Sequence, residues 1–249
     1  RERAIKMRSS CAVVALVGLA LVGCAVAIPI PGVPQKKDFV TQQFVDKLNS
    51  DENSTWTAGV NDVFAGMDMK EIRESMLGLL MDRKYSVPVK TYKHIPNSEI
   101  PDSFNAYDQW PSWCHPIRDQ ARCGSCWAFA ASEVLSDRFA IATNGSINKI
   151  LSPEDMVSCD KTDNGCSGGY LDNAWEYMHT VGIVTDTCFP YDAGKGKAGK
   201  CVRACVSPTE PFVKYKAEDV YQLKTEEDIQ KDIMTYGPVE AGFTVYTSF

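Results

Sequence analysis

Basic blocks, repeats, long apolar runs and histidines are all scarce in this chain of 249 residues. Its 26 basic residues form no block and are outnumbered by 32 acidic ones, for a net charge of −6. A chain of that sign is a poor match for a phosphate backbone, so a nucleic-acid partner is not expected. No internal repeat or low-complexity tract occurs. The hydrophobic fraction of 44% and charged fraction of 23% are ordinary for a globular protein. Collagen-like, coiled-coil and wholly disordered readings therefore fall away. The apolar run 11–27 has 17 residues, short of the ~20 that a spanning helix needs. The three histidines, His94, His115 and His179, are scattered. Only one cysteine pair, Cys123 and Cys126, stands at metal spacing and no second ligand pair accompanies it, so no metal is expected, and no other cofactor.

Cysteine, by contrast, is abundant, with ten in the chain. That is too many for a typical reduced cytosolic enzyme. The run 11–27 follows Met7-Arg8 and closes on Ala25-Val26-Ala27, a small-x-small cleavage pattern. Met7–Ala27 reads as a secretory signal, with Arg1–Lys6 as upstream translated sequence. No membrane anchor is expected once it is removed. Cys11 and Cys24 leave with it, and eight cysteines remain for an oxidising compartment. Asn53-Ser54-Thr55 and Asn144-Gly145-Ser146 are then candidate glycosylation acceptors.

Periodicity places one helical face at Val40, Phe44, Val45 and Leu48. Asp68 and Glu71 form a capping-box pattern, opening a helix with Ile72, Met76, Leu79 and Leu80 inward. Pro88, Pro96 and Pro101 break the chain into an extended linker. Residues 28–99 thus read as a small helical unit, and a cysteine-rich unit begins near Ile100. In that unit helices are expected at 126–142, after Ser152-Pro153, around Leu171–Met178, and after Thr225 up to Gly237-Pro238. Residues 239–247 alternate apolar Val239, Ala241, Phe243 and Val245, the pattern of a half-buried strand. Helices first and β-structure late point to an α+β fold. The strand is expected to need partners beyond Phe249, so the sequence reads as cut short.

Cys123-Gly124-Ser125-Cys126 carries the chemistry. A redox dithiol would need a βαβ context, and no strand pattern leads into it. Zinc would need a second ligand pair. The third reading separates the sulfurs, one in a disulfide and the other a nucleophile. Cys126 would begin the helix 126–142, where unpaired N–H groups are expected to lower the thiol pKa. Gln120, on the loop entering that helix, can donate to a developing oxyanion.

Cys123-Gly124-Ser125-Cys126-Trp127 is the local signature around the nucleophile of papain-like cysteine peptidases. Cys166-Ser167-Gly168-Gly169-Tyr170, Cys188-Phe189-Pro190-Tyr191 and Gly237-Pro238-Val239 follow in the family's order. Thr55-Trp56-Thr57-Ala58-Gly59, Ile100-Pro101-Asp102-Ser103-Phe104, Gln109-Trp110-Pro111 and Gly237-Pro238-Val239-Glu240 resemble the cathepsin B group within it. The resemblance runs from about residue 38 to Phe249.

It implies a helical left domain plus the start of a β-rich right domain at 100–249, preceded by a helical propeptide at 28–99. Cys126 would be the nucleophile of an endopeptidase working through a thioester, and Gln120 an oxyanion-hole donor. Gly168 and Gly169 would line the cleft for an extended peptide substrate, with the propeptide as internal inhibitor. The implied disulfides are Cys123–Cys166, Cys159–Cys201 and Cys188–Cys205. Cys114 would be free or paired outside the usual scheme, because Ala140 stands at its usual partner's place, and Asp160 stands where the family has a second adjacent cysteine. The implied setting is a secreted or lysosome-like compartment, and the implied state a monomer. The family's base and its orienting Asn belong downstream, and none of the three histidines matches that base. The chain is thus expected to be an inactive fragment of an active parent. The alternative is a non-catalytic secreted binding protein on a peptidase scaffold.

Overall fold

The computed structural model describes residues 39–246. The expected signal and upstream residues, 1–27, lie outside them. The described residues belong to one compact unit, Lys36–Phe249.

Seven α-helices form along the described chain, each where the sequence supplies a start or stop. Thr41 accepts from Phe44 N to open α1 (Gln42–Asn49), which buries Val45. Asp68 and Glu71 close a reciprocal capping box on α2 (Met69–Met76), which buries Ile72. α2 stops at Met76, so Leu79 and Leu80 are not on its inward face as the periodicity suggests. They lie in an extended strap, where Leu79 bridges Gly169 in parallel and Leu80 N–H donates to Gly169 O at 3.0 Å. Partners distant in sequence override the helical pattern there.

The Pro-broken stretch is extended as expected but is not a free linker. Lys90 N–H donates to Gln222 O and Gln222 N–H to Pro88 O. Tyr92 is 1% exposed, and its hydroxyl donates to Asp232 Oδ2 at 2.5 Å.

After the short α3 (Ala106–Gln109), the central helix α4 (Cys126–Ala142) carries the core on nearly every face. Ala128, Ala131, Ser132, Ser136 and Ala140 are small and almost wholly buried, so α5 (Pro153–Cys159) and α6 (Leu171–Thr180) pack closely on it. Trp127, Leu135, Leu151, Met156 and Met178 fill the space between. Ser132 and Ser136 hydroxyls donate back to helix carbonyls, so neither is left unpaired.

Ser152 caps α5, and Pro153 follows at its first turn. The buried Glu154 accepts from the Asp192 and Ala193 N–H groups, and buried Asp155 pairs with Lys214 at 2.6 Å. Thr225 caps α7 (Glu226–Tyr236), which Gly237 ends at φ 105°.

Among the described residues no strand forms, only four isolated bridges. The expected strand at 239–247 is absent over its described part, 239–246. No neighbouring strand runs alongside it to supply a ladder, and Phe243 and Tyr246 stay exposed. No helix among the described residues is long and apolar enough to cross a membrane.

Candidate active site

Cys126 is the first residue of α4, as its position after Gly124-Ser125 suggests. Three features hold the turn before it. The Cys123–Cys166 disulfide ties it to the loop of Gly168 and Gly169. Gly124 N–H donates to Cys166 O at 3.0 Å, and the Trp127 indole donates to Gly165 O at 3.2 Å. A Cβ on Gly169 would stand 2.5 Å from the Trp127 ring, so only glycine lets that backbone rest on the indole. Cys159–Cys201 and Cys188–Cys205 are also joined, while Cys114 and Cys126 are free thiols.

Gln120 is positioned by a short relay. Its own carbonyl accepts from the Tyr191 hydroxyl at 2.8 Å, which also meets Ser125 Oγ at 2.8 Å. Its amide Nε2 donates to Cys123 O at 3.0 Å and to Met76 O at 2.9 Å. Gln120 and Cys126 therefore flank one turn, and a carbonyl of the strap already takes the side-chain donor. The Tyr191–Ser125 relay was not read from the sequence, although Tyr191 closes the quoted Cys188-Phe189-Pro190-Tyr191 string.

The strap covers this turn. Gly169 N–H donates to Gly78 O at 2.8 Å, beside the reciprocal bond from Leu80. Gly169 thus pairs with the extended backbone of the strap. Downstream, Arg83 grips Asp172 with two hydrogen bonds of 2.7 Å and Asn173 with a third. Its guanidinium stacks 4.1 Å from the centre of the Tyr170 ring, and the Tyr170 hydroxyl bonds Asp82.

The electrostatics correct one expectation. Burial is the largest influence on the Cys126 thiol. It outweighs the backbone N–H groups that favour the thiolate, that of Gly78 on the strap first and then those of Trp127 and Cys126 at the helix start, so the thiol is pushed up rather than down. Glu240 adds to this. Burial raises its carboxyl to about 8, against the opposing hydrogen bond from Trp175, whose Nε1 donates at 2.6 Å.

None of the three imidazoles serves Cys126. His115 Nδ1 meets Asp137 Oδ1 at 2.6 Å and its Nε2 meets Asn148 Oδ1 at 2.8 Å. His179 Nδ1 bonds Ala217 O, and His94 lies beside Tyr92. Among the described residues no cluster of three or more His, Cys, Asp or Glu suited to a metal occurs. A cavity of about 290 Å³ lies elsewhere, lined by Tyr85, Arg138, Trp175, Tyr221, Val239 and Glu240. The acceptor candidates Asn53 and Asn144 are both exposed.

Comparison with known proteins agrees with this geometry. Residues 100–249 match the family model described as papain family cysteine protease. The chain is 37% identical to cathepsin B-like cysteine proteinase 5 of Caenorhabditis elegans, over 94% of this chain and 77% of that one. It is 34% identical to cathepsin B of Dictyostelium discoideum, over 79% of this chain and 67% of that one. Procathepsin B S9 from Trypanosoma congolense superposes with a TM-score of 0.76 at 29% identity, covering 85% of this chain and 75% of its own. The chain belongs to the papain family of cysteine proteases, in its cathepsin B group.

Proposed function

We propose that this chain is the precursor form of a cysteine endopeptidase, with residues 28–99 as its propeptide and 100–249 as peptidase domain. The observation that carries the reading is the path of Met76–Leu80. From the end of α2, where the Met76 carbonyl accepts from Gln120, the chain crosses the α4 N-terminus in extended form and pairs with Gly169. A substrate would use the same donors once the strap is gone.

Cys126 Sγ then attacks the scissile carbonyl carbon. Gln120 Nε2 donates to the oxyanion. Collapse expels the amine and leaves a thioester, which water hydrolyses. An imidazole must take the thiol proton and return it to the leaving amine, a role typically worth ~10²–10⁴-fold. His115 and His179 are hydrogen-bonded elsewhere and His94 packs beside Tyr92, so the chain by itself is inactive in this reading.

Endopeptidase action alone is proposed because residues 189–200 carry no His to bind a substrate carboxylate. That interval is also not the mobile segment its glycines suggest. Glu154 holds Asp192 and Ala193, and Arg122 N–H donates to Gly194 O. The oxidised cysteines and exposed acceptor asparagines support passage through the secretory pathway toward a lysosome-like or extracellular site, as a monomer.

The competing reading, a non-catalytic secreted binding protein, draws on the missing imidazole. The Gln120–Cys126 arrangement favours the enzyme. One experiment separates them: extend the chain with the C-terminal part of its Caenorhabditis relative, which would supply the base, and assay a fluorogenic peptide. Turnover that Cys126→Ala abolishes supports the enzyme. A folded chimera without turnover supports the binding protein.

A further inference from the structure

Asp160 caps the C-terminal end of α5 and Asp163 follows three residues on; they are only 4% and 7% exposed. Each uses one oxygen fully. Asp160 Oδ1 accepts from the Thr162 amide and hydroxyl, both at 2.8 Å. Asp163 Oδ1 accepts from Tyr170 N–H at 2.8 Å and Asn173 Nδ2 at 3.1 Å. The other oxygen of each, Oδ2, is buried with no donor in reach. The two carboxyl groups lie within hydrogen-bonding reach of each other. Two buried carboxylates in contact, each with an empty acceptor, would leave both acceptors unpaired and like charges adjacent. One proton between them removes both faults.

The charged and titratable groups around the pair do not supply another remedy. Arg83, on the strap, is committed to Asp172 and Asn173. Lys161 turns its ammonium to Ser158 O. Tyr170 is bonded to Asp82 and Tyr177 to Asp155. Asp172 on α6 and Glu240 on the last described segment bring only further acids.

We infer that Asp160 and Asp163 share one proton, and that this carboxyl–carboxylate pair positions the Gly168–Gly169 wall in acid and loosens it near neutral pH. The coupling is direct, because Asp163 holds the Tyr170 amide, one residue beyond Gly169. It also holds Asn173, which bonds Thr162 O and closes the loop. Asp160 stands where the family pattern has a second adjacent cysteine, so a titratable link occupies ground where a covalent one is expected. The proton comes from solvent on acidification and rests on Asp163, donating to Asp160. Both residues are positioning residues and touch neither the thiol nor a substrate. The inference does not depend on the reaction assigned to Cys126.

Burial and Asp160 raise the Asp163 carboxyl to about 6. A carboxyl raised above its unfolded value contributes stability that is full below the unfolded value and lost as pH rises through the folded one. With an unfolded value of about 3.9, loop opening should become roughly tenfold more favourable between pH 5 and 7.5.

The test is hydrogen exchange of residues 164–170 in the full chain at both pH values, corrected for intrinsic exchange. Wild-type protection should fall about tenfold. In Asp160→Asn the new amide donates to Asp163 without titrating, and protection should change little with pH. Asp163→Asn, with its amide donating to Asp160, should behave alike. Infrared difference spectra at pH 5.5 give a second readout that needs no loop motion. Wild type should show a protonated carboxyl band that Asp163→Asn lacks. Flat wild-type protection, or a fall retained in Asp160→Asn, would overturn the inference. So would no band difference, or protection at pH 7.5 restored by millimolar calcium, which would mean that the pair holds a cation instead.

Discussion

Gly78 lies directly on Gly124: a Cβ built on Gly78 would stand 1.8 Å from the Gly124 carbonyl oxygen. Two glycines, 46 residues apart in sequence, let one backbone cross the other beside the Cys126 thiol. All three obstructing atoms, Gly124 O, C and Cα, belong to backbone, so no side-chain rotation relieves the clash.

Gly78→Ala should therefore lift the strap and leave the body of the protein folded. Overpacking of this kind costs about 1–3 kcal/mol, which converts to about a five- to hundredfold gain in strap opening. Alkylation of Cys126, followed by peptide mapping to separate it from Cys114, should accelerate by that factor. An unchanged rate would mean that the strap does not gate the thiol.

The second anchor is electrostatic. Asp172 has a side chain only 2% exposed, against 34% for Arg83. Burial works against its ionisation, yet hydrogen bonds from Arg83 and the Ser86 N–H win and hold the carboxyl below its ordinary range. A depressed carboxyl contributes stability that is present above its unfolded value and lost as pH falls through the folded one. The anchor should hold at neutral and mildly acid pH and fail only below about pH 4. Arg83→Met strands a buried carboxylate, at a cost of about 3–5 kcal/mol. At pH 7 that should lower Tm by about 10 °C and open residues 77–86 to proteolysis. The gap between wild type and variant should narrow as pH falls below about 4.

Much of this arrangement was legible in the sequence, and the reasons for the exceptions are physical. Capping boxes, Pro at a helix start and Gly at a helix end are local signals, and α2, α4, α5 and α7 begin or end on them. The strap was not legible, because Leu79 and Leu80 fit a helical period equally well. What makes them extended is Gly169, 90 residues downstream of Leu79. The burial of Tyr92 by Asp232 and α7 is likewise a long-range fact. The Cys126 thiol was misjudged for the same reason. Its helix terminus is local, but the burial that raises it is a product of the whole fold, in which distant Gly78 comes to lie against the thiol.

Glu240 should impose a second, higher pH dependence. Its raised carboxyl contributes stability that is full below its unfolded value of about 4.3 and lost as pH rises through about 8. Glu240→Gln keeps an acceptor for the Trp175 indole and cannot ionise. Thermal melts should show the variant gaining on wild type from pH 5 to pH 9, by as much as about 3 kcal/mol at neutral pH and above. Parallel pH profiles would mean that Glu240 is not shielded from water.

The last expectation concerns the two free thiols, Cys126 and Cys114, which burial raises alike but in different surroundings. At Cys114 the neighbouring charge is Asp137, which also disfavours the thiolate, and the thiol's hydrogen bond goes to Ala106 O. Nothing there offers N–H groups to an anion. At Cys126 burial is the largest contribution, with the Glu240 charge adding to it, and backbone N–H groups oppose them; the Gly78 N–H would leave with the strap, but those of Trp127 and Cys126 stay with the helix. Displacing the strap should thus lower the Cys126 titration and leave Cys114 unchanged. In the Gly78→Ala background, alkylation profiles against pH should separate. Cys126 should move to or below the ordinary thiol value of about 8.5, and Cys114 should stay above it. Adding Arg83→Met should move Cys126 no further, since one displaced strap removes the cover once. If both thiols shifted together, the change would be general loosening of the protein rather than release of the strap.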